Sequence, residues 1–201
     1  FAIASQFQLK VVDDVSDYVC FSAACKPTIP LLTHQKDLIM QVAILGAGNV
    51  AVDLAKGFIS RGHSVVFGTR DVQGERATKA VAAVPGSSAA AYAQAAAQAQ
   101  MAVLATSWSG THNALQLTGN DNLKGKLLID VTNPLDFSTG KPRLALGFPH
   151  SAGAQVQAWL PQAHVVKAFN IITSARMVEP QFEDGAPDMF IAGNHADAKK
   201  Q

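Results

Sequence analysis

Cysteine is almost missing from this chain: only Cys20 and Cys25 occur, both in the front segment. The two could pair, but nothing else resembles a disulfide framework and His34 alone makes no zinc site. Both therefore read as inert, and no metal is expected. A core without cysteine says little about compartment; with no signal peptide evident, the cytoplasm is the default. Charge is also scarce, at 15% of residues with a formal net of +1. Arg61, Arg70, Arg76, Lys79, Lys124, Lys126, Lys141 and Arg143 are scattered among turns and carboxylates; without a basic stripe, nucleic acid is not an expected partner. No apolar run has the length of a membrane span, because Gln94, Gln98 and Gln100 interrupt the alanine-rich stretch from Ala89 to Ala105. Tyrosine is limited to Tyr18 and Tyr92, and neither falls at a predicted strand end. The Tyr-Lys pair that would protonate an alkoxide in a carbonyl reductase is therefore missing. Apolar residues make up 48% of the chain, which describes one globular domain with an appendage.

What is present is a glycine turn in the context it requires. The apolar run Gln41-Val42-Ala43-Ile44-Leu45 ends at Gly46, a G-x-G-x-x-A turn follows, and a helix-period segment opens at Asn49. Gly46 permits the tight turn, Gly48 lets the backbone approach a pyrophosphate, and the amides opening the helix, at Asn49 and Val50, point at its charge. Ala51 stands where a third glycine is usual, a permitted variant that sets helix and strand slightly further apart. The next strand, Val65-Val66-Phe67-Gly68, ends in Thr69-Arg70. An acidic residue there would accept from the ribose 2′-hydroxyl of NAD, whereas arginine holds the 2′-phosphate of NADP. Asp71 comes one position late. The turn and the arginine together predict an NADP(H) site.

Residues 1–39 do not fit this pattern. They lack an initiating Met, place Asp13, Asp14 and Asp17 where a signal h-region would lie, and carry Pro27 and Pro30. Met40 directly precedes the first strand, so the simplest reading takes 40–201 as an NADP(H)-binding domain and 1–39 as an extension, native or added. Within it Leu9 to Val12 and Val19 to Phe21 are candidate edge strands or partner-packing segments.

From Met40 onward strand and helix alternate. Strands are expected at Val42 to Leu45, Val65 to Gly68, weakly at Ser88 to Ala91, then at Met101 to Thr106, Leu127 to Val131, His164 to Ala168 and Met189 to Ala192. Helices are expected at Asn49 to Ser60 with Gly62 as its cap, Gly74 to Ala83, Tyr92 to Ala99, around Asn113 to Leu117, and at Ala152 to Leu160. A last helix begins at Ala196 and is incomplete at the end of the chain. Units in this order make an α/β protein of Rossmann type, doubly wound, with a mostly parallel sheet and helices on both faces. Ligands bind beyond the carboxyl ends of such strands, where strand order reverses.

Three strand ends then carry the chemistry: Ser107-Trp108-Ser109, Thr132-Asn133-Pro134-Leu135 and Phe169-Asn170. Each pairs small polar groups with an apolar wall, which suits a nicotinamide ribose on one side and a flat acceptor ring on the other. Trp108 equally fits a surface-capping aromatic, Asn133 a turn former, and Asn170 a tie between loops. No acid-base constellation emerges. His150 is the histidine nearest a predicted cleft, His112 could approach through the Trp108 loop, and His63 reads as structural. Hydride transfer between a nicotinamide and a flavin-like ring needs stacked rings more than a protein acid. No catalytic residue is assigned; Trp108, Phe169 and Asn170 frame the expected transfer pocket.

Gly46-Ala47-Gly48-Asn49-Val50, Gly68-Thr69-Arg70, Asp130-Val131-Thr132-Asn133-Pro134-Leu135, Val165-Val166-Lys167-Ala168-Phe169-Asn170 and Ile191-Ala192-Gly193-Asn194, in this order, resemble the NADPH-dependent coenzyme F-420 reductase family. The similarity runs from about Met40 to the end. The same domain is similar to the cytosolic NADPH module of membrane metalloreductases, which passes hydride to a flavin. The resemblance implies a Rossmann domain, often a homodimer, that moves hydride between NADP(H) and a small-molecule acceptor, either the deazaflavin coenzyme F-420 or a flavin such as FMN or FAD. It implies pyrophosphate contacts from Gly46, Gly48, Asn49 and Val50 and 2′-phosphate contacts from Thr69 and Arg70. Ser107, Trp108, Asn133, Pro134, Phe169 and Asn170 would border the nicotinamide. The competing reading is a non-catalytic NADP(H)-binding redox sensor or partner-recruiting module. A third is a reductase of a small imine or carbonyl, with His150 as its proton donor.

A charge-assisted arginine–phosphate contact is worth about 1.5–3 kcal/mol. Arg70→Ala is therefore expected to weaken NADPH binding roughly ten- to a hundredfold while leaving NADH nearly unchanged, as read by titration calorimetry. Equal losses for both cofactors would remove Arg70 from the 2′-phosphate site.

Overall fold

The computed structural model describes residues 8–12, 39–183, 185 and 187–201; Val19 to Phe21, Cys20, Cys25 and His34 lie outside them. The elements in chain order are β1 (Gln8–Val12), β2 (Gln41–Leu45), α1 (Asn49–Ile59), β3 (Ser64–Thr69), α2 (Glu75–Ala83), β4 (Ser88–Ala91), α3 (Tyr92–Gln98), β5 (Met101–Leu104), α4 (Trp108–Thr118), α5 (Asn120–Leu123), β6 (Leu127–Asp130), β7 (Leu135–Asp136), β8 (Arg143–Leu144), α6 (Ala152–Trp159), β9 (His164–Lys167), β10 (Asp188–Ala192) and α7 (Ala196–Lys200).

Eight strands form one sheet in the order β1-β10-β9-β6-β5-β2-β3-β4. The six from β9 to β4 are parallel, so their backbone groups are paired through the interior and both faces need cover. Side chains alternate to provide it. Val42 and Ile44 face α1 and α2 with Leu54, Phe58, Phe67 and Val84. Ala43 and Leu45 face the layer of α3, α4, α5 and α6 with Ala95, Leu115, Leu123 and Val156. Burying each such large apolar side chain contributes about 1.5–3 kcal/mol. The fold is thus a Rossmann-type, doubly wound α/β sheet with helices on both faces.

The edge of the sheet departs from the parallel rule. β10 runs antiparallel to β9, and β1, from the segment before residue 40, adds in parallel outside β10 with Gln8 to Val12 opposite Asp188 to Ala192. The expected edge strand at Leu9 to Val12 is present. The chain steps outward from β2 to β3 and β4, then returns to the other side of β2 to lay down β5, β6 and β9. Strand order therefore reverses between β2 and β5, which is where an open α/β sheet leaves its crevice.

The expected α1 cap at Gly62 also holds, with φ +86 and its amide donating to Ile59 O at 2.9 Å. Three features differ from expectation. The helix expected near Asn113 starts earlier, at Trp108, with Ser107 at its N-cap. The short α5 and the β7–β8 hairpin were not anticipated. Their elements are only 4 and 2 residues long, too short for a hydrophobic period to register.

Gly193 shows how closely β10 approaches β9. A Cβ added there would lie 2.6 Å from the Val165 carbonyl oxygen. Gly193→Ala is expected to cost about 1–3 kcal/mol, read as a lower urea midpoint; an unchanged midpoint would mean that β10 can move away freely.

Candidate functional site

The site is built at the carboxyl edge of the sheet, and its first component is the turn after β2. Gly46 has φ +119, and a Cβ there would sit 2.5 Å from the Ala105 carbonyl oxygen; both the backbone angle and the neighbouring strand end demand glycine. Gly48 is different. Among the described residues a Cβ there would meet nothing within 4 Å, which leaves open space above it. Gly48 is the N-cap of α1, no side chain caps that helix, and its first turn carries no acidic residue. The amides at Asn49 and Val50 thus open a helix end suited to an anion. Ala51 is fully buried against the sheet.

At the end of β3, Thr69 is 8% exposed and its Oγ1 is buried without a hydrogen-bond partner among the described residues. Leaving a buried hydroxyl unpaired costs about 1–3 kcal/mol, so a ligand oxygen is the natural complement. Arg70 follows it and is exposed. Its charge reaches Tyr92 at the start of α3: burial pushes the Tyr92 phenol up, and Arg70 partly offsets that. An uncapped helix start, open space over Gly48 and the unpaired Thr69 hydroxyl fit a phosphate-bearing dinucleotide.

On the other side of β2 lies a pocket of about 680 Å³, within the range of small-molecule sites. Val50, Ser107, Trp108 and Asn133 line it, together with Thr106, Thr132, Leu135 and Phe137. Of the expected residues, these first four meet in the pocket. Pro134 adjoins it in sequence, and Gly46, Gly48, Thr69 and Arg70 lie along the strand ends beyond it. Phe169 and Asn170 do not line it; they are joined to it through Asn133, whose Nδ2 donates to the Asn170 carbonyl at 3.0 Å. The loop-tying role open for Asn170 is thus filled by its main chain. Phe169 is buried, and it is the sole non-glycine residue with positive φ, +62, among the described residues. Such a conformation costs an aromatic residue on the order of 1–3 kcal/mol and persists where neighbours enforce it.

Trp108 is both wall and cap: it lines the pocket and packs its ring 5.6 Å from that of Trp159 on α6. His112 turns away to stack on Trp159 at 4.7 Å. His150 is exposed and outside the pocket lining. His63, whose Nδ1 accepts from Met40 N at 3.3 Å, is structural, as expected. Among the described residues no group of three or more His, Cys, Asp or Glu could hold a metal, and no helix is long and apolar enough to cross a membrane.

Two features of the site are not expected from the sequence. One is the ion pair of Asp130 with Lys167, whose signal was a charged residue closing each of two apolar strands. Desolvation lowers the Lys167 pKa, with Asp130 opposing that shift. The other is the β7–β8 hairpin at the pocket rim, signalled by the turn-forming run Ser138-Thr139-Gly140-Lys141-Pro142. There Asp136 accepts from Ser138 N at 2.8 Å, Ser138 Oγ at 3.0 Å and Arg143 Nε at 2.8 Å. The Ser138 amide first, and then Arg143, hold its carboxyl down at about 2.

Because the folded pKa of Asp136 lies below its ordinary value, the hairpin tie is fully present above the usual carboxylate range and is lost as pH falls through about 2. NMR of the side-chain carboxyl should show that low midpoint, and Arg143→Ala should raise it. An ordinary midpoint in the intact protein would mean the hairpin is not held this way.

Comparison with known proteins agrees with this geometry. Residues 41–134 match the family of NADP oxidoreductases described as coenzyme F-420-dependent. A crystallised protein from Arthrobacter sp. FB24, assigned as an F-420-dependent NADP-reductase, is 37% identical with a TM-score of 0.75, covering 80% of this chain and 76% of its own. A hypothetical protein from Sinorhizobium meliloti is 27% identical with a TM-score of 0.66, covering 81% of this chain and 78% of its own. Metalloreductase STEAP3 of Rattus norvegicus is 33% identical over 159 residues, or 79% of this chain, which spans only 30% of that protein's length. With its glycine turn, reversed strand order and open pocket beside β2, the chain belongs to the coenzyme F-420-dependent NADP oxidoreductase family.

Proposed function

We propose that this protein transfers hydride between NADP(H) and a deazaflavin or flavin ring. The observation that carries the cofactor half is the buried, unpartnered Thr69 hydroxyl beside the exposed Arg70. An adenosine 2′-phosphate offers several charged acceptor oxygens to both groups, whereas a 2′-hydroxyl offers one neutral oxygen. Gly46 makes the tight turn after β2, Gly48 leaves room for the pyrophosphate, and the amides of Asn49 and Val50 face it from the start of α1. Ser107, Trp108, Asn133 and Pro134 border the nicotinamide, with Phe169 and Asn170 behind the last two.

The acceptor half rests on what surrounds the pocket. Among the described residues its lining contains no histidine, lysine or tyrosine, and its carboxyl, Asp136, is held down at about 2 by Ser138 and Arg143, so a substrate that must be protonated by a side chain is poorly served. A ring that accepts hydride directly needs close stacking and exclusion of water instead. Trp108, Leu135 and Phe137 supply apolar walls for such a ring. The NADPH, when bound, supplies the hydride; the protein orients the two rings and keeps its polar groups, Ser107 and Asn133, at their edges. The Arthrobacter relative supports a deazaflavin, and flavins, which the resemblance read from the sequence implies, are the other acceptors to be tried.

The test follows NADPH oxidation by the purified protein with coenzyme F-420, FMN and FAD offered in parallel. Turnover with one of them is expected, and replacing Trp108 with Ala should lower kcat more than NADPH affinity, because it disturbs stacking and not the phosphate grip. Tight NADPH binding with no turnover, accompanied by a change in oligomeric state, would instead make the protein a non-catalytic redox module.

A further inference from the structure

Lys167 and Asp130 end adjacent parallel strands opposite one another, so their side chains emerge on the same face at the same height. The Asp130 side chain is 0% exposed and that of Lys167 16%. Asp130 is already committed on one oxygen: Oδ1 accepts from Thr132 N at 2.9 Å and from Thr132 Oγ1 at 2.7 Å. Its Oδ2 faces Lys167 Nζ at 3.1 Å. The ammonium reaches further as well, to the Thr132 carbonyl and to Thr132 Oγ1 at 3.4 Å. Neutralising Asp130 would not require that reach.

Thr132 and Asn133 line the pocket, whereas Lys167 and Asp130 do not. One residue beyond the Thr132 tie, Asn133 Nδ2 bonds back to the Asn170 carbonyl at 3.0 Å. Two links therefore join the loop after β6 to the end of β9, one at Lys167 and one at Asn170. Phe169, held at positive φ, lies between their β9-side ends. The stem of Lys167 passes beside Gly153 of α6, where an added Cβ would make an ordinary van der Waals contact, 3.5 Å from Lys167 Cβ.

We propose that Lys167, through Asp130 and Thr132, is a positioning residue for hydride transfer. It clamps the Thr132-Asn133 loop to the end of β9 and keeps Phe169 in its left-handed conformation, setting the wall on which the nicotinamide rests. The proposal builds on the reductase reading above, and its test separates the two.

Lys167→Met alone leaves Asp130 buried without a countercharge and is expected to lower the melting temperature sharply. The informative protein is the double variant Lys167→Met with Asp130→Asn, which removes both charges, keeps the acceptor for Thr132 and deletes the reach to the Thr132 carbonyl. It should regain most of the melting temperature lost in Lys167→Met. Its NADPH affinity should stay within about twofold of wild type while kcat remains at least roughly tenfold down. In the unliganded protein the amides of Leu135 and Ile172 should exchange about tenfold faster or more, since they report opening of the two loops. Recovery of kcat together with the melting temperature, or unchanged exchange at both amides, would overturn the clamp. If the wild type binds NADPH but reduces none of the acceptors, the reductase reading fails. The anisotropy decay of bound NADPH fluorescence then decides the clamp: faster ring motion in the double variant sustains it, and identical motion removes it.

Discussion

A staircase of four main-chain hydrogen bonds at the carboxyl edge of the sheet sets everything else in place. Gly46 N donates to Gly68 O, Ala105 N to Leu45 O, Val131 N to Leu104 O and Ala168 N to Asp130 O, at 2.9, 2.9, 3.2 and 3.1 Å. They extend the register that aligns Gly68, Leu45, Leu104, Asp130 and Lys167 in one row. A slip of one residue would turn every core side chain to the wrong face, and each face here carries a buried apolar cluster. The register is consequently rigid, and each loop that follows a strand starts from a fixed height.

Two halves of the candidate site use this edge in different ways. Around β2 and β3 the chain contributes mostly backbone: a glycine forced by the approach of Ala105, an uncapped helix start and one buried hydroxyl. Such a surface matches phosphate because amides and dipoles are present at no conformational cost. Around β5, β6 and β9 side chains dominate. There Trp108 leans on Trp159, Asn133 reaches Asn170, and Lys167 reaches Thr132. A flat ring has no charge to grip, so its placement depends on walls that are themselves held.

Much of the sheet was legible because a strand buried on both faces is written as an uninterrupted apolar run, as in Val42 to Leu45 or Leu127 to Ile129. The glycine turn and Arg70 were legible for a related reason: their meaning depends on position after a strand, which sequence supplies. What stayed hidden was local structure too short to leave a period. The β7–β8 hairpin was hidden in this way, and so was the early start of α4 at Trp108, which places that ring against α6. His150 and His112 could not be discarded from sequence, since only the observed packing shows one exposed outside the pocket lining and the other stacked on Trp159.

The alternation of strand and helix, the turn after the first Rossmann strand and the arginine after the second are each encoded by neighbours in the chain. It takes the folded sheet to bring Asp130 and Lys167, 37 residues apart in sequence, to the ends of adjacent strands in register, and to make Asn133 and Asn170 meet across two loops. The reason is physical: pairing across a sheet is set by which strand lies beside which and at what register. That information resides in the packing of both faces at once, not in any one segment.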